Sequence, residues 1–384
     1  MNVTMPSAPE MQPQQDNTQP SRPVAQHNSL QTDTSPGVHQ PQPQPQPSDP
    51  RLTQHSGPGR DWLAIARRRF SLIGATIVAM MLIWLAAGEI GWAILRSVFG
   101  DDAPMWATVL VSSGTIYLIA MPLSMLIATR VPVLRTAQYP MRAGEFFRIF
   151  IMVVAVGYVG NIIGTVLSLV LSRGQSSNRI VDILAGGDWW VNVLFLVVLA
   201  PIFEEWMFRQ QLISRLRRYG EKTAILYSAL AFALFHYNLY QFFYAFGMGL
   251  LLGYVYTRTS RLRYPILMHM LFNLNGSVVG PLIIRQVDPH FFDGSMSNEE
   301  LLRLVQTSDA RLTGLGYYSL YVMVLLALTI AGIVLLIVRR KSWEFYTAPE
   351  ELPAGRVART AYGNIGTICY LSLTIALTVV ALLM

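Results

Sequence analysis

Long apolar stretches recur along most of this 384-residue chain and are separated by short polar connections. A stretch of about 20 apolar residues is long enough to cross a bilayer as one helix. The pattern predicts nine such spans, at residues 70–97, 105–128, 147–172, 189–214, 223–239, 240–257, 264–284, 316–338 and 362–384. They lack the alternation of apolar and polar positions typical of barrel strands. We therefore expect an all-α fold, a polytopic transmembrane helical bundle.

The region 223–257 permits two interpretations. It contains either two short helices, which is the interpretation we adopt, or one helix followed by a re-entrant segment.

The first 58 residues have a different composition from the rest of the chain. They contain twelve of the 22 prolines and eleven glutamines, with a Pro-Gln alternation from Gln40 to Pro47. Such a segment buries too little apolar surface to offset the entropy of ordering. We expect a disordered tail, with extended polyproline II structure in the Pro-Gln stretch. Docking of this stretch into an aromatic groove of a partner is the alternative.

Composition excludes a soluble protein for the remainder of the chain. Hydrophobic residues make up 52% of the sequence, its mean hydropathy is +0.38, and only 13% of residues are charged. Soluble domains carry about 25% charged residues. The single cysteine, Cys369, lies in an apolar segment, which excludes a disulfide framework and a cysteine metal cluster.

The net charge of +7 reports orientation in the membrane rather than nucleic-acid binding. The basic residues lie in short runs beside alternate ends of the spans, at 67–69, 130–148, 215–222, 258–263 and 339–341. Connections on the cytoplasmic side of a membrane are enriched in such residues. We expect a multi-pass protein of the inner or plasma membrane, with the N-terminus in the cytoplasm, the C-terminus outside, and no nucleic-acid partner.

Only a few ionisable residues lie deep within the predicted spans. Such groups cost several kcal/mol in a bilayer unless they are paired or functional. Apart from Glu89, near the outer end of the first span, they are Glu204, Glu205, Arg209, His236 and His269.

The spacing within the fourth span suggests two different roles for its glutamates. Glu205 and Arg209 are four residues apart and therefore share one helical face at ion-pairing distance. Glu204 is turned by about 100° from that pair. We expect a structural Glu205–Arg209 pair, with Glu204 free to act as a base. The alternative is that all three belong to one structural network.

The fourth and fifth predicted spans each carry a titratable side chain whose depth in the membrane can be compared. Glu204 lies 14 residues before Arg218, and His236 lies 13 residues after Thr223. At 1.5 Å per residue, both side chains are about 20 Å from the shared cytoplasmic turn. We therefore expect Glu204 and His236 to lie at a similar depth.

His269 and Asn273 occupy one face of the seventh predicted span. Both side chains can donate hydrogen bonds, as an oxyanion hole requires. His269, however, is only about 8 Å from the cytoplasmic turn before its helix. Either this helix starts deeper than the apolar pattern indicates, or the site is a funnel that opens to the cytoplasm.

Three short motifs resemble those of a known family. Glu204 to Arg209 reads E-E-x-x-x-R, Phe232 to His236 reads F-x-x-x-H, and His269 to Asn273 reads H-x-x-x-N. In this order, and on successive membrane helices, they resemble the CPBP family of intramembrane proteases, the type II CAAX prenyl proteases and bacteriocin-processing proteins. The resemblance covers about residues 190–285.

The resemblance implies an intramembrane endopeptidase, a hydrolase acting on peptide bonds. Glu204 with His236 would activate the attacking water, and His269 with Asn273 would stabilise the oxyanion. The substrate would be a membrane-associated or lipidated protein or peptide, since eukaryotic relatives remove three residues after a prenylated cysteine.

The resemblance also divides the chain. Residues 1–58 form the cytoplasmic tail, 59–188 the N-terminal transmembrane helices, 189–285 a catalytic core, and 286–384 an outer loop with the C-terminal transmembrane helices. Within the core, Glu205 and Arg209 would support the site.

The resemblance leaves the cofactor open, because the family has often been described as metalloproteases. Glu204, His236 and His269 include the donor types of a three-ligand catalytic zinc site. Asn273 suits hydrogen-bond donation better than zinc binding, so we favour a metal-free mechanism.

Two other functions remain as alternatives. One is a non-catalytic membrane scaffold or immunity-type protein that retains the fold. The other is a transporter or channel, which the confinement of polar groups to one region and the absence of a detectable repeat disfavour. The H-E-x-x-H motif of other membrane metalloproteases is absent from the sequence.

Overall fold

The computed structural model describes residues 61–176, 189–292, 295–307 and 309–383. In these ranges the regular structure is helical, with no strand, and eight helices are long and apolar enough to cross a membrane. The expected all-α polytopic bundle is therefore confirmed. The tail predicted for residues 1–58 lies outside the described residues.

Ten helices of ten residues or more, with contiguous helical segments counted together, organise the described part of the chain. They are α1 Trp62–Phe99, α2 Met105–Ala128, α3 Ala143–Leu171, α4 Trp189–Tyr219, α5 Glu221–Leu234, α6 Leu239–Thr259, α7 Arg263–Ile284, α8 Asn298–Thr307, α9 Arg311–Val338 and α10 Ile365–Leu383. All except α5 and α8 are the membrane-crossing candidates. Short helical turns lie at Pro289–Phe291, Ala354–Arg356 and Ala358–Tyr362.

The region 223–257 contains two helices, as expected, but the first is shorter than the span predicted there. Helix α5 has 14 residues, or about 21 Å, and stops short of a full crossing. It ends because Tyr237 adopts a left-handed backbone conformation, with φ of 51°. Asn238 then caps α6 by accepting a hydrogen bond from the backbone N–H of Gln241 (2.9 Å).

The basic runs gather at one end of the helical bundle. Ion pairs there connect segments that are far apart in sequence, namely Arg69–Glu350 (3.5 Å), Arg218–Glu350 (3.3 Å) and Arg339–Glu145 (2.8 Å). The start of α1, the α4–α5 connection, the start of α3 and the chain after α9 therefore lie at the same end. This agrees with the alternation of basic runs, while the cytoplasmic position of that end stays a prediction.

Helix α3 approaches α6 through glycines. A Cβ added at Gly160 would lie 2.5 Å from the backbone nitrogen of Tyr244, and one at Gly164 would lie 2.6 Å from the carbonyl oxygen of Leu239. Small residues let membrane helices pack backbone to backbone in this way. The contact fixes α6, which directly follows the turn that carries His236.

Helix α4 is the most interior of the membrane-crossing candidates. In its most apolar stretch of 18 residues, 56% of the residues are buried inside the protein, whereas only 6% are buried in the corresponding stretch of α9. Its α-helical segment Ala200–Glu205 lies between two π-helical segments, Val193–Leu199 and Trp206–Ile213. Such wide turns are frequent at functional sites. The two adjacent glutamates end the α-helical segment and point into the protein.

Candidate active site

Glu205 joins two helices through its two carboxylate oxygens. Oε2 lies 2.9 Å from Arg209 Nε one turn further along α4, and Oε1 lies 2.9 Å from His269 Nδ1 on α7. Glu205 and Arg209 are fully buried, and His269 is 4% exposed. The Glu205–Arg209 pair expected from the spacing is thus present, and it extends to His269.

Arg209 carries a buried guanidinium group with few partners. The guanidinium carbon lies 4.5 Å from the centre of the Phe232 ring, a cation–π arrangement. The contact of Arg209 with Glu205 has an ion-pair distance without the alignment of a hydrogen bond. In the described part of the chain, none of its three side-chain nitrogens has a hydrogen-bond partner. Charge attraction and the aromatic face therefore hold this cation in place.

Glu204 faces a different set of partners. Its Oε1 accepts a hydrogen bond of 2.9 Å from the hydroxyl of Tyr117 on α2, and its Oε2 lies 3.8 Å from His269 Nε2. The side chain is 5% exposed. The carboxylate of Glu204 therefore has different partners from the Glu205–Arg209 pair, in agreement with the predicted rotation of about 100°.

His269 lies level with both glutamates, which bears on its predicted shallow position. His269 Nδ1 lies 2.9 Å from Glu205, and His269 Nε2 lies 3.8 Å from Glu204. Met141, just before α3, donates its backbone N–H to the hydroxyl of Tyr264 at the start of α7 (2.9 Å), so the two helices begin close together. The choice between a helix that starts deeper and a funnel stays a prediction.

His236 follows the last turn of α5 with its ring in a defined orientation. Its Nδ1 lies 2.8 Å from the carbonyl oxygen of Phe232. Because a carbonyl only accepts, Nδ1 carries the proton, and the lone pair of the neutral ring lies on Nε2. Asn238 Nδ2 also donates to the backbone carbonyl of His236 (2.8 Å), and the ring of Tyr244 packs at 6.4 Å. The lone pair on Nε2 is the form that a base or a metal ligand needs.

Phe232 connects the site's cationic and histidine side chains. Its ring, 1% exposed, packs edge-to-face against His236 (5.0 Å between centroids) and against His269 (5.7 Å). The ring also lies under Arg209. Phe232 therefore packs between these side chains, and through it His236 reaches the cluster of Glu204, Glu205 and His269.

Asn273 lies on the same face of α7 as His269, as predicted. Its Nδ2 donates to the backbone carbonyl of Leu196 on α4 (2.8 Å). This contact fixes the amide and leaves one N–H of the group for another acceptor. Asn273 also ties α7 to the π-helical stretch that precedes the glutamates.

Two side chains, Glu89 and Tyr117, differ from what the sequence predicted. Glu89, counted there as a marginal buried carboxylate, is exposed at the surface of α1. Tyr117 was missed, although it contacts Glu204 directly. Its only signal in the sequence is a hydroxyl in the middle of an apolar span, 87 residues before its partner.

The same side chains do not have the arrangement of a metal site. Across the described residues, no group of three or more His, Cys, Asp and Glu side chains has the spacing to hold a metal ion. Nδ1 of His269 faces Glu205, and Nδ1 of His236 faces a carbonyl, so Nε2 is the nitrogen that each ring could offer to a metal ion. The choice between a metal-free reaction and zinc stays a prediction.

Comparison with known proteins identifies the same region. Residues 186–275 match the family described as type II CAAX prenyl endopeptidase Rce1-like. The match runs from just before α4 into α7 and contains all three motifs.

One curated relative also matches this region. The membrane-embedded CAAX protease MroQ of Staphylococcus aureus (strain USA300) is 33% identical over 90 residues, which cover 22% of this chain and 36% of that protein. The match therefore spans about a third of the relative's length. No solved structure matches the chain. Together with the eight apolar helices, the comparisons identify an integral membrane protein.

Proposed function

We propose that this chain, which contains a domain of the CPBP family of intramembrane proteases, is an endopeptidase that hydrolyses a peptide bond of a membrane-associated protein or peptide. The observation that carries the proposal is the spacing between Glu204 and His269. A buried carboxylate oxygen and an imidazole nitrogen face each other at 3.8 Å. At this separation one water oxygen can lie about 2.8 Å from both atoms.

Glu204 acts as the general base. Its Oε2 takes one proton from the water while the water oxygen bonds to the carbonyl carbon of the substrate. The tetrahedral intermediate then collapses, the C–N bond breaks, and the proton passes to the leaving amine. A carboxylate in this role must lie within hydrogen-bond reach of the water, which the geometry around Oε2 permits.

His236 assists the same step. With its proton held on Nδ1 by the carbonyl of Phe232, its Nε2 can accept a hydrogen bond from the water. The edge-to-face contacts with Phe232 and Tyr244 fix the ring plane. A fixed ring lowers the entropy cost of bringing base and water together.

His269 and Asn273 stabilise the oxyanion. His269 donates from Nε2 when its ring carries both protons, because Nδ1 already donates to the Glu205 carboxylate. Asn273 has one N–H left beyond its bond to Leu196. Donors already fixed before the reaction stabilise developing charge most effectively.

Glu205 and Arg209 support the site without reacting. Glu205 orients His269 through Nδ1, and Arg209 balances the second carboxylate in a low-dielectric interior. Without Arg209, the two consecutive buried carboxylates would repel each other with no arginine beside them.

We propose that the reaction needs no metal ion. The donor groups already have hydrogen-bond partners or geometry suited to proton transfer, and Glu204, His236 and His269 lack the spacing of a ligand set. Nothing in the proposed step requires a Lewis acid.

The substrate class follows from the relatives and from the surroundings of the site. The family description and the name of the S. aureus relative both refer to CAAX proteins. The site lies among apolar helices, so a lipidated or membrane-anchored segment could reach it from the bilayer. We propose such a substrate for this chain.

Comparative peptidomics tests the proposal while the substrate is still unidentified. Membranes containing the wild-type protein are compared with membranes containing Glu204→Ala at equal abundance. We expect a set of peptide termini that occurs only with the wild type, together with accumulation of the uncleaved precursors in the variant. Identical peptide profiles would refute protease activity and favour a scaffold. Mass analysis of the products shows whether the fragments carry a lipid.

A further inference from the structure

Helix α2 lies outside the segment that matches the protease family, yet it contributes a side chain to the proposed site. The match covers residues 186–275, whereas Tyr117 of α2 donates a 2.9 Å hydrogen bond to Oε1 of Glu204. We propose that Tyr117 is a positioning residue for the proposed hydrolysis, which fixes the carboxylate so that Oε2 is the oxygen acting on water. The inference rests on the proposed function and adds a residue to it.

The contact is built from two neighbouring interactions. The Tyr117 ring stacks on Phe203, the residue before Glu204, with 5.8 Å between centroids and 20° between planes. The hydroxyl then reaches Glu204 itself. Tyr117 is only 8% exposed, so water competes little for the hydrogen bond. Ring and hydroxyl together determine the position of two consecutive residues of α4.

The backbone of α2 is unusual where it supplies this side chain. Tyr117 lies in the π-helical stretch Leu110–Ala120. Opposite it, Glu204 lies in an α-helical segment that is flanked by π-helical turns. Wide turns change the direction of side chains relative to a regular helix and are frequent at functional sites. Both partners of the contact thus come from irregular helices.

The hydrogen bond has a direct consequence for the reacting atoms. An ionised carboxylate only accepts, so the phenol donates and occupies Oε1. Oε2 then stays 3.8 Å from His269 Nε2, a separation at which one water oxygen can lie about 2.8 Å from both atoms. Without the phenol donor, the carboxylate can rotate toward His269 and form a direct charged pair. That pair would close the space in which the water has to lie.

The reaction should therefore depend on a helix that the family match does not include. Residues 186–275 supply the base, the histidines and the amide, and α2 supplies the donor that holds the base. A merely structural hydrogen bond would affect folding alone, whereas a positioning bond affects the rate of the chemical step.

The test removes one oxygen atom. Tyr117→Phe is compared with wild type in nanodiscs, with an acyl-anchored, fluorescence-quenched peptide that contains the cleavage sequence found by peptidomics. We expect kcat to fall about 10- to 100-fold, because hydrogen bonds to charged groups are worth more than neutral ones. KM should change little, because the contact acts on the base and not on substrate binding.

A matched control makes the same chemical change elsewhere. Tyr256 is also buried, and its hydroxyl bonds Ser214 (2.8 Å), away from Glu204. Tyr256→Phe should therefore keep the wild-type kcat.

The kinetic constants are normalised to the amount of folded protein, which is measured as the monodisperse fraction in detergent. If Tyr117→Phe gives no such fraction, Phe203→Leu replaces it, since this variant keeps the hydroxyl and removes only the ring stack, and it should also lower kcat.

The outcomes separate this inference from the proposed function. A wild-type kcat in the folded Tyr117→Phe protein, or a loss that appears only in KM, overturns the role of Tyr117. If Glu204→Gln abolishes cleavage in the same assay, the protease proposal stands even then. If Glu204→Gln cleaves at the wild-type rate, the protease proposal fails first and the inference fails with it.

Discussion

His269 Nδ1 lies 2.9 Å from Glu205 Oε1, so the second glutamate of the motif binds a histidine on another helix as well as the arginine on its own. One buried carboxylate thereby links α4 to α7. The sequence predicted only the pair of Glu205 with Arg209. The additional contact means that loss of Glu205 would disturb both the charge balance and the orientation of His269.

Stability should distinguish the two adjacent glutamates. Glu205→Gln leaves Arg209 buried without a counter-charge, and breaking a buried ion pair from one side costs about 3–5 kcal/mol. Glu204→Gln keeps an oxygen that can accept from Tyr117 and removes a charge that is costly to bury, so its cost should be within about 1 kcal/mol. Thermal unfolding in detergent measures both, and a Tm for Glu205→Gln equal to that of Glu204→Gln would refute the assigned roles.

The α3–α6 contact should tolerate no side chain at its centre. Gly160→Ala places a methyl group 2.5 Å from the Tyr244 backbone, so the helices must separate. We expect a loss of about 1–3 kcal/mol, as for other overpacked sites. Gly144→Ala, in the same helix, meets no atom within 4 Å and should leave Tm unchanged or slightly raised. Equal Tm values for the two variants would contradict the close approach.

Two carboxylates at the basic end of the bundle, Glu221 and Glu350, should contribute differently to the stability of the fold. Glu221 is 5% exposed and binds Arg217 and Arg258, and it accepts from the backbone N–H of Tyr346 (2.9 Å). Glu350 is 42% exposed, so its pairs should contribute about 1 kcal/mol or less.

We expect Glu221→Gln to lower Tm clearly more than Glu350→Gln, since three partners lose a buried charge. The Tm difference between wild type and Glu350→Gln should also shrink as salt is added, because salt screens exposed pairs. A larger effect for Glu350→Gln would contradict the burial of Glu221.

Removal of metal ions should not affect cleavage. Because the proposed step uses side chains and water without a metal ion, a strong chelator should leave the cleavage rate of the acyl-anchored reporter unchanged. Metal analysis of the purified protein should find no stoichiometric zinc. Stoichiometric zinc whose removal abolishes activity, and whose return restores it, would refute the metal-free mechanism.

The sequence was sufficient for contacts within one helix. Helical periodicity placed Arg209 beside Glu205 and turned Glu204 away, because side chains four apart lie on one face. The length of the apolar runs indicated the order of the spanning helices and, apart from α5, their number. The same reasoning overestimated α5, because the turn at Tyr237 depends on a left-handed backbone conformation rather than on hydropathy.

Contacts between helices were harder to predict. Rotation of one helix against another depends on packing, which a single sequence does not encode locally, so Tyr117 gave no sign of its bond to Glu204. The contact of His269 with Glu205 was missed for the same reason, because helical periodicity does not say which residues of α4 and α7 face each other.

The most direct test of the protease proposal is the cleavage rate of the acyl-anchored reporter by Glu204→Gln, in nanodiscs and per folded molecule. Glu89→Gln makes the same change at an exposed position of α1 and serves as the control. We predict that Glu204→Gln reduces kcat by at least about 100-fold, since an amide cannot take the proton from water, and that Glu89→Gln cleaves like wild type. Cleavage by Glu204→Gln at the wild-type rate would contradict the proposal that this carboxylate activates the water.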